Sequence, residues 1–254
     1  GNSLRPEVTT AEDVDLNNEN FHWDSPNGTF KAGWFGGTTY YLRTTFKRAP
    51  GFMDIVTYTG TGSATAFSHN LGVKPELVIF KSRSHNQDWI VKFQDRDNML
   101  YMNATTGYSG GANYFDAEDT ATTFYGRAAN AMTNYSGYDY VAYLFATCPG
   151  ISSVGSYTSN GNARDIDCGF DAGARFVMIK RTDSSTTGDW FIWDSVRGYS
   201  GSTDNFLKMN STAAQDSNYN NIDDHLGALS AGFSVTASSV VNINTADYIY
   251  LAIA

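Results

Sequence analysis

The chain has 254 residues, 41% of them hydrophobic, enough to bury one large core or two ordinary ones. Charged residues make up 17%, below the usual quarter or so, while 16 Tyr, 16 Phe and 24 Gly fill the gap. The net charge of −9 excludes non-specific nucleic-acid binding, which basic groups drive, and no apolar run approaches the ~20 residues of a membrane-spanning helix.

Residues 1–50 form a first segment of distinct character. The stretch to Glu19 is polar and acidic and is expected to lie extended along a neighbour. Asp13-x-Asp15-x-Asn17 has the opening of a calcium loop, but Asn18 replaces the required Gly and Asp24 the closing Glu, so no metal is expected there. Trp34 to Phe46 reads as a Gly-turned hairpin with alternating strands, the tail of a preceding domain. An initiator Met and a signal peptide are both missing, and the last residues are an apolar strand. The sequence therefore reads as an ordered piece of something longer, or as a processed product.

Residues 51–148 and 149–254 then read as one all-β module written twice. At an offset of 99, Tyr58-Thr59-Gly60-Thr61-Gly62 returns as Tyr157-Thr158-Ser159-Asn160-Gly161, and Leu77-Val78-Ile79-Phe80-Lys81 as Phe176-Val177-Met178-Ile179-Lys180. Asp88-Trp89 meets Asp189-Trp190, Leu100-Tyr101-Met102-Asn103 meets Leu207-Lys208-Met209-Asn210, and Asp139-Tyr140-Val141 meets Asp247-Tyr248-Ile249. Because the offset grows only between strands, the insertions fall in loops. Glu76 to Lys81 and Arg175 to Lys180 are short apolar runs of β-forming residues, predicted as strands buried on both faces. Tyr140 to Ala146 and Tyr248 to Ala254 close each module. Trp89 to Phe93, Trp190 to Trp193 and Gly232 to Thr236 supply further strands, with a helical turn allowed at 116–120 or 210–215. The fold predicted is all-β: two tandem β-sandwich modules after an N-terminal extended segment and hairpin.

Catalytic chemistry finds no persuasive carrier. His22, His69, His85 and His225 lack metal spacing, and there is no Cys-x-x-Cys. His69 aligns with Cys168, so no shared catalytic role is expected of it. Gly60-x-Gly62 lacks the third Gly and the helix of a dinucleotide site. Cys148 and Cys168 flank the inter-module linker and are expected to stay free thiols. Asp88 and Asp189 each precede a Trp; paired catalytic carboxylates or a sugar-binding acid-aromatic pair compete with turn-capping Asp beside core Trp, and the repeat favours the structural role. Asn103, Asn134 and Asn210 satisfy Asn-x-Ser/Thr, as does Asn27, but such triplets arise easily here. The remaining ligand-binding candidates are Tyr108, Tyr114, Tyr199 and Tyr219. They lie in Gly/Ser/Asn-rich loops, a mixture that makes adaptable contact surfaces.

Several motifs resemble a family of repeated domains in tail-fibre-like structural proteins of tailed, particularly marine, phages. They are Phe46-Lys47-Arg48-Ala49-Pro50-Gly51-Phe52, His69-Asn70-Leu71-Gly72-Val73-Lys74-Pro75-Glu76-Leu77, Tyr140 to Ala146, Ile179-Lys180-Arg181-Thr182-Asp183-Ser184 and the closing Tyr248 to Ala254. Asp171-Ala172-Gly173-Ala174 departs from it, where the family more often has a Pro. The resemblance implies a non-enzymatic virion component without cofactor, on the particle surface. Its implied partners are other virion proteins, further copies of itself, with a trimer favoured, and a host-surface glycan or protein. The alternatives are a capsid decoration protein and, disfavoured, a polysaccharide-degrading enzyme. Binding specificity is expected in the unmatched loops near 107–120 and 198–224.

Overall fold

The computed structural model describes residues 2–14, 46–94, 97–111, 114–184, 186–198, 204–213, 215, 226–237 and 239–254. Among the described residues the regular elements are all strands, and neither allowed helical turn forms. β1 (Asn2–Ser3) and β2 (Asp13–Val14) pair with each other near the start. The predicted hairpin at Trp34 to Phe46 lies almost wholly outside the described residues.

The first module contains β3 (Met53–Thr59), β4 (Ala66–Ser68), β5 (Leu77–Ser82), β6 (Ile90–Phe93), β7 (Met99–Tyr101), β8 (Thr123–Tyr125) and β9 (Asp139–Phe145). They form an antiparallel five-stranded sheet, β3-β9-β5-β6-β7, and a two-stranded sheet, β4-β8. The second module contains β10 (Ser152–Thr158), β11 (Arg164–Asp167), β12 (Phe176–Arg181), β13 (Trp190–Asp194), β14 (Leu207–Lys208), β15 (Leu226–Leu229), β16 (Gly232–Val235) and β17 (Asp247–Ile253). Its sheets are β10-β17-β12-β13-β14 and β11-β16-β15. Register repeats along with order: Tyr58 faces Tyr140 as Tyr157 faces Tyr248, and Leu77 faces Phe145 as Phe176 faces Ile253.

Strand alternation explains why β5 and β12 are apolar throughout. Val78 and Phe80 point into the first module's own core, against Phe67 and Phe124 of its small sheet. Val177 and Ile179 do the same in the second module, against Ile166 and Phe233. The opposite faces meet each other: Leu77, Ile79, Val91 and Phe93 share a third core with Phe176, Met178, Ile249 and Leu251. Side chains two apart lie on one face of a strand, so a sheet covered on both sides needs every position apolar. Among the described residues, the two large sheets thus share one core, and each shares a second core with its own small sheet.

Each module is closed by the same tyrosine device. Tyr140 Oη donates to Ala131 O at 2.8 Å and accepts the Tyr135 N–H at 3.0 Å; Tyr248 Oη repeats this with Val240 O and the Ile243 N–H. The two strand-opposed rings stack, 5.2 Å apart for Tyr58 and Tyr140 and 5.1 Å for Tyr157 and Tyr248. Asn134 and Asn242, both fully buried, tie the preceding loop to the turn after β3 or β10. The Asn134 triplet is therefore closed to glycosylation in the folded protein.

Candidate functional site

The polar residues that recur in both modules converge at one end of each large sheet. Asn103 Oδ1 accepts the Trp89 N–H at 3.0 Å while its Nδ2 donates to Asp88 Oδ1 at 2.8 Å. Asn210 does the same with Trp190 and Asp189, at 2.9 and 2.7 Å. The Asp-Trp and Met-Asn motifs are thus one clamp, an amide joining the entry of the fourth sheet strand to the exit of the fifth. Asp189 also meets Lys208 Nζ at 2.8 Å. Asp88 and Asp189 each accept from an asparagine side chain in place of the turn amides expected, while Trp89 and Trp190 are buried as core residues.

Beside each clamp sits a lysine with no exposed surface. Lys180 Nζ donates to the carbonyls of Thr105 at 2.9 Å, Ala104 at 3.5 Å and Gly188. Lys81 Nζ donates to Thr9 O at 2.8 Å and Gln87 O at 2.5 Å. Burial pulls both ammonium groups down to about 8, with Asp88 or Asp189 acting the other way. Each Nζ stands 5.8 Å from the centroid of its module's tryptophan. Those indoles reach the same foreign segments, Trp190 Nε1 donating to Tyr101 O at 2.8 Å and Trp89 Nε1 to Arg5 O at 2.9 Å. Lysine and tryptophan therefore make a socket that grips the main chain of a preceding segment. The sequence marks it only as a lysine ending an apolar strand, repeated at offset 99.

Main-chain bonds extend the grip. Gly107 N and Tyr108 N donate to Ser184 O and Thr182 O of the second module, at 2.5 and 2.9 Å, and Glu12 N donates to Arg83 O at 2.7 Å. The Thr182 carbonyl lies so near Gly107 that a Cβ there would stand 2.2 Å from it. Arg83 also pairs with Glu12 at 2.8 Å.

Of the four loop tyrosines, the two that lie among the described residues, Tyr108 and Tyr114, pack against apolar cores. Tyr114 is buried in the first module's core against Phe115, with the Arg127 guanidinium 5.0 Å over its ring. This corrects the expectation of an exposed loop residue: the loop folds back over β6 and β7, where a ring gains more by burial than in water. Tyr108 packs half-buried against the core between the modules, drawn there by its main-chain bond to Thr182. Tyr199 and Tyr219 lie outside the described residues. His69 is buried, accepting the Leu71 N–H at Nδ1 and placing Nε2 3.2 Å from Thr120 O, and its counterpart Cys168 is buried as well. Both cysteines are free thiols, and burial pushes Cys168 up to about 11.

Two cavities open among the described residues. An open cleft of about 680 Å³ at the edge of the first module is lined by Val73, Lys74, Glu76, Gln94 and Thr147, with Lys74 reaching Glu118 at 3.5 Å. The second, about 460 Å³, is apolar and lies between the two large sheets, among Ile55, Ile79, Met102, Met178, Ile192 and Met209.

These contacts define an all-β tandem-repeat protein whose recurring polar groups hold main chain in place. Residues 44–254 match the family described as Domain of unknown function (DUF7483), and the chain belongs to that family. No curated protein and no solved structure matches it.

Proposed function

We propose that this protein is a structural component of a tailed-phage particle, part of a tail fibre or another surface appendage, acting by assembly and host attachment and not by catalysis. The observation that carries this reading is the fate of the residues common to both modules. Lys81 and Lys180, Asp88 and Asp189, Asn103 and Asn210, Tyr140 and Tyr248 are each bonded to main chain or to one another, as a load-carrying tandem β-protein requires. The resemblance of the Phe46 to Phe52 and Tyr140 to Ala146 motifs to phage fibre domains supports the same reading. Partners on this view are other virion proteins, further copies of the chain in a trimer, and a host-surface glycan or protein met by loops. With Tyr108 and Tyr114 packed inward, attachment falls to the loop region near 198–224.

Gold-labelled antibody on intact particles tests the location, and fluorescent protein incubated with host cells tests attachment. Label on the tail appendages and saturable cell binding are expected. Label confined to the capsid would transfer the protein to a decorating role, and release of oligosaccharides from host polysaccharide would make it an enzyme.

A further inference from the structure

Residues 2–14 hold the first module as residues 98–110 hold the second, position by position at an offset of 96. The bridge between Ser3 and Asp13 corresponds to that between Met99 and Ser109. Arg5 O takes the Trp89 indole where Tyr101 O takes that of Trp190, Thr9 O takes Lys81 where Thr105 O takes Lys180, and Glu12 N meets Arg83 O where Tyr108 N meets Thr182 O. Leu4, Leu100 and Leu207 stand in register, as do Thr9, Thr105 and Thr212. Some contacts belong to one copy alone: Ala11 N bonds the Asn86 side chain where its counterpart Gly107 bonds a backbone carbonyl, Lys180 Nζ also reaches Ala104 O, and Asn2 bridges Val14.

The linkers repeat too. Phe46 to Met53 runs into the first module as Phe145 to Ser152 runs into the second. Met53 N returns to Ala49 O as Ser152 N returns to Cys148 O, and Gly51 and Gly150 share a left-handed φ of 76° and 72°. In sequence, Tyr41 stands 99 residues before Tyr140, where each module has its closing tyrosine. The apolar cavity then falls where three copies meet. Pro6, Met102 and Met209 are equivalent residues of successive copies, and all three line it. Ile79 and Met178, equivalent residues of β5 and β12, line it as well, and Phe46 packs edge-on against Phe145 and Phe176 at its margin.

We infer that residues 2–14 and 46–53 belong to a third copy of the module, and that the apolar cavity is the seat of a third five-stranded sheet of the same type. Three sheets then surround one core, each copy's segment after its fifth sheet strand gripped by the next copy's lysine and tryptophan. The occupant is a stretch equivalent to residues 53–96, presenting an apolar residue where Ile79 and Met178 stand and a lysine-tryptophan socket toward Ser211 and Thr212, the counterparts of Ala104 and Thr105. Continuity with two existing socket contacts selects this occupant, and the inference is independent of where the protein resides.

The test is the full chain with its own residues 53–96 fused ahead of Gly1, the register that an offset of 96 demands. The fused stretch is expected to become protease-resistant, to shield its added tryptophan from quencher, to raise the melting temperature and to abolish most of the fluorescence of an apolar-surface dye. Digestion of the added stretch, with dye binding unchanged in the rest, overturns the proposal. A second variant needs no added chain: residues 4–9 are replaced by the sequence of residues 100–105. Equivalence predicts a melting temperature near that of the parent and well above that of the same six residues scrambled; melting with the scrambled control overturns it.

Discussion

A buried lysine is the most informative single residue in each module. Lys180 has its pKa held near 8 by burial, against about 10.4 for an exposed lysine. Between those values the unfolded chain binds the proton and the native chain does not, so this group's contribution to stability rises with pH through the window. Urea melts of the parent and Lys180→Met between pH 7 and pH 10 are expected to diverge, the parent gaining up to about 3 kcal/mol relative to the variant. Tyrosine ionisation in the unfolded state is common to both proteins and cancels; a pH-independent difference would refute the assignment. Lys92 offers a different test. It pairs with Asp119 at 2.7 Å inside the first module, while the second module has Trp193 at the same register position. Lys92→Met or Asp119→Leu alone strands a buried charge and is expected to cost about 3–5 kcal/mol. The double variant is expected to cost less than either, as denaturant midpoints would reveal.

Strands paired along their lengths are also tied at their ends. The amide clamp makes β6 and β7 a unit, and β13 and β14 likewise, so Asn103→Ala and Asn210→Ala are each expected to lose about 1–3 kcal/mol through an unpaired Trp N–H. Asn103→Asp should be the more damaging at neutral pH, because it faces Asp88 with a second carboxylate; equal loss from Ala and Asp in thermal melts would argue against the clamp. Strand identity was legible in advance wherever apolar runs were long, as at β5, β9, β12 and β17, because a strand covered on both faces leaves a continuous hydrophobic signature. The short strands β4, β8 and β11 were harder to read, although Gly232 to Thr236, the partner of β11, was legible. Ala66-Phe67-Ser68 and Thr123-Phe124-Tyr125 bury little beyond one aromatic each, and three residues carry too little periodicity to separate a strand from a loop.

Across the whole molecule the core shared by the two large sheets makes the modules interdependent. Phe176 and Met178 of one share a core with Leu77 and Ile79 of the other, and the indole of Trp190 ends on a carbonyl of the first module. Calorimetry is expected to give one transition with matching calorimetric and van't Hoff enthalpies. Leu100→Ala, at the shared core, should lower it by about 2–5 kcal/mol without splitting it. Two separate transitions would mean that each module stands alone and the shared core contributes little.

The linear order of residues by itself determined the all-β class, the duplication and most of the strands that carry it, because alternation, β-branched runs and equal spacing are local properties. It also identified the paired Asp-Trp and Met-Asn motifs as matching positions. Only the tertiary structure decided what those positions do. An asparagine 14 residues from a tryptophan in one copy and 20 in the other becomes a clamp once two strands lie side by side, and a lysine in an apolar strand becomes a socket once a distant carbonyl arrives. Tyr114 shows the same limit in reverse. Its loop composition reads as solvent-facing, but burial is settled by what folds over a residue, and no local pattern records that.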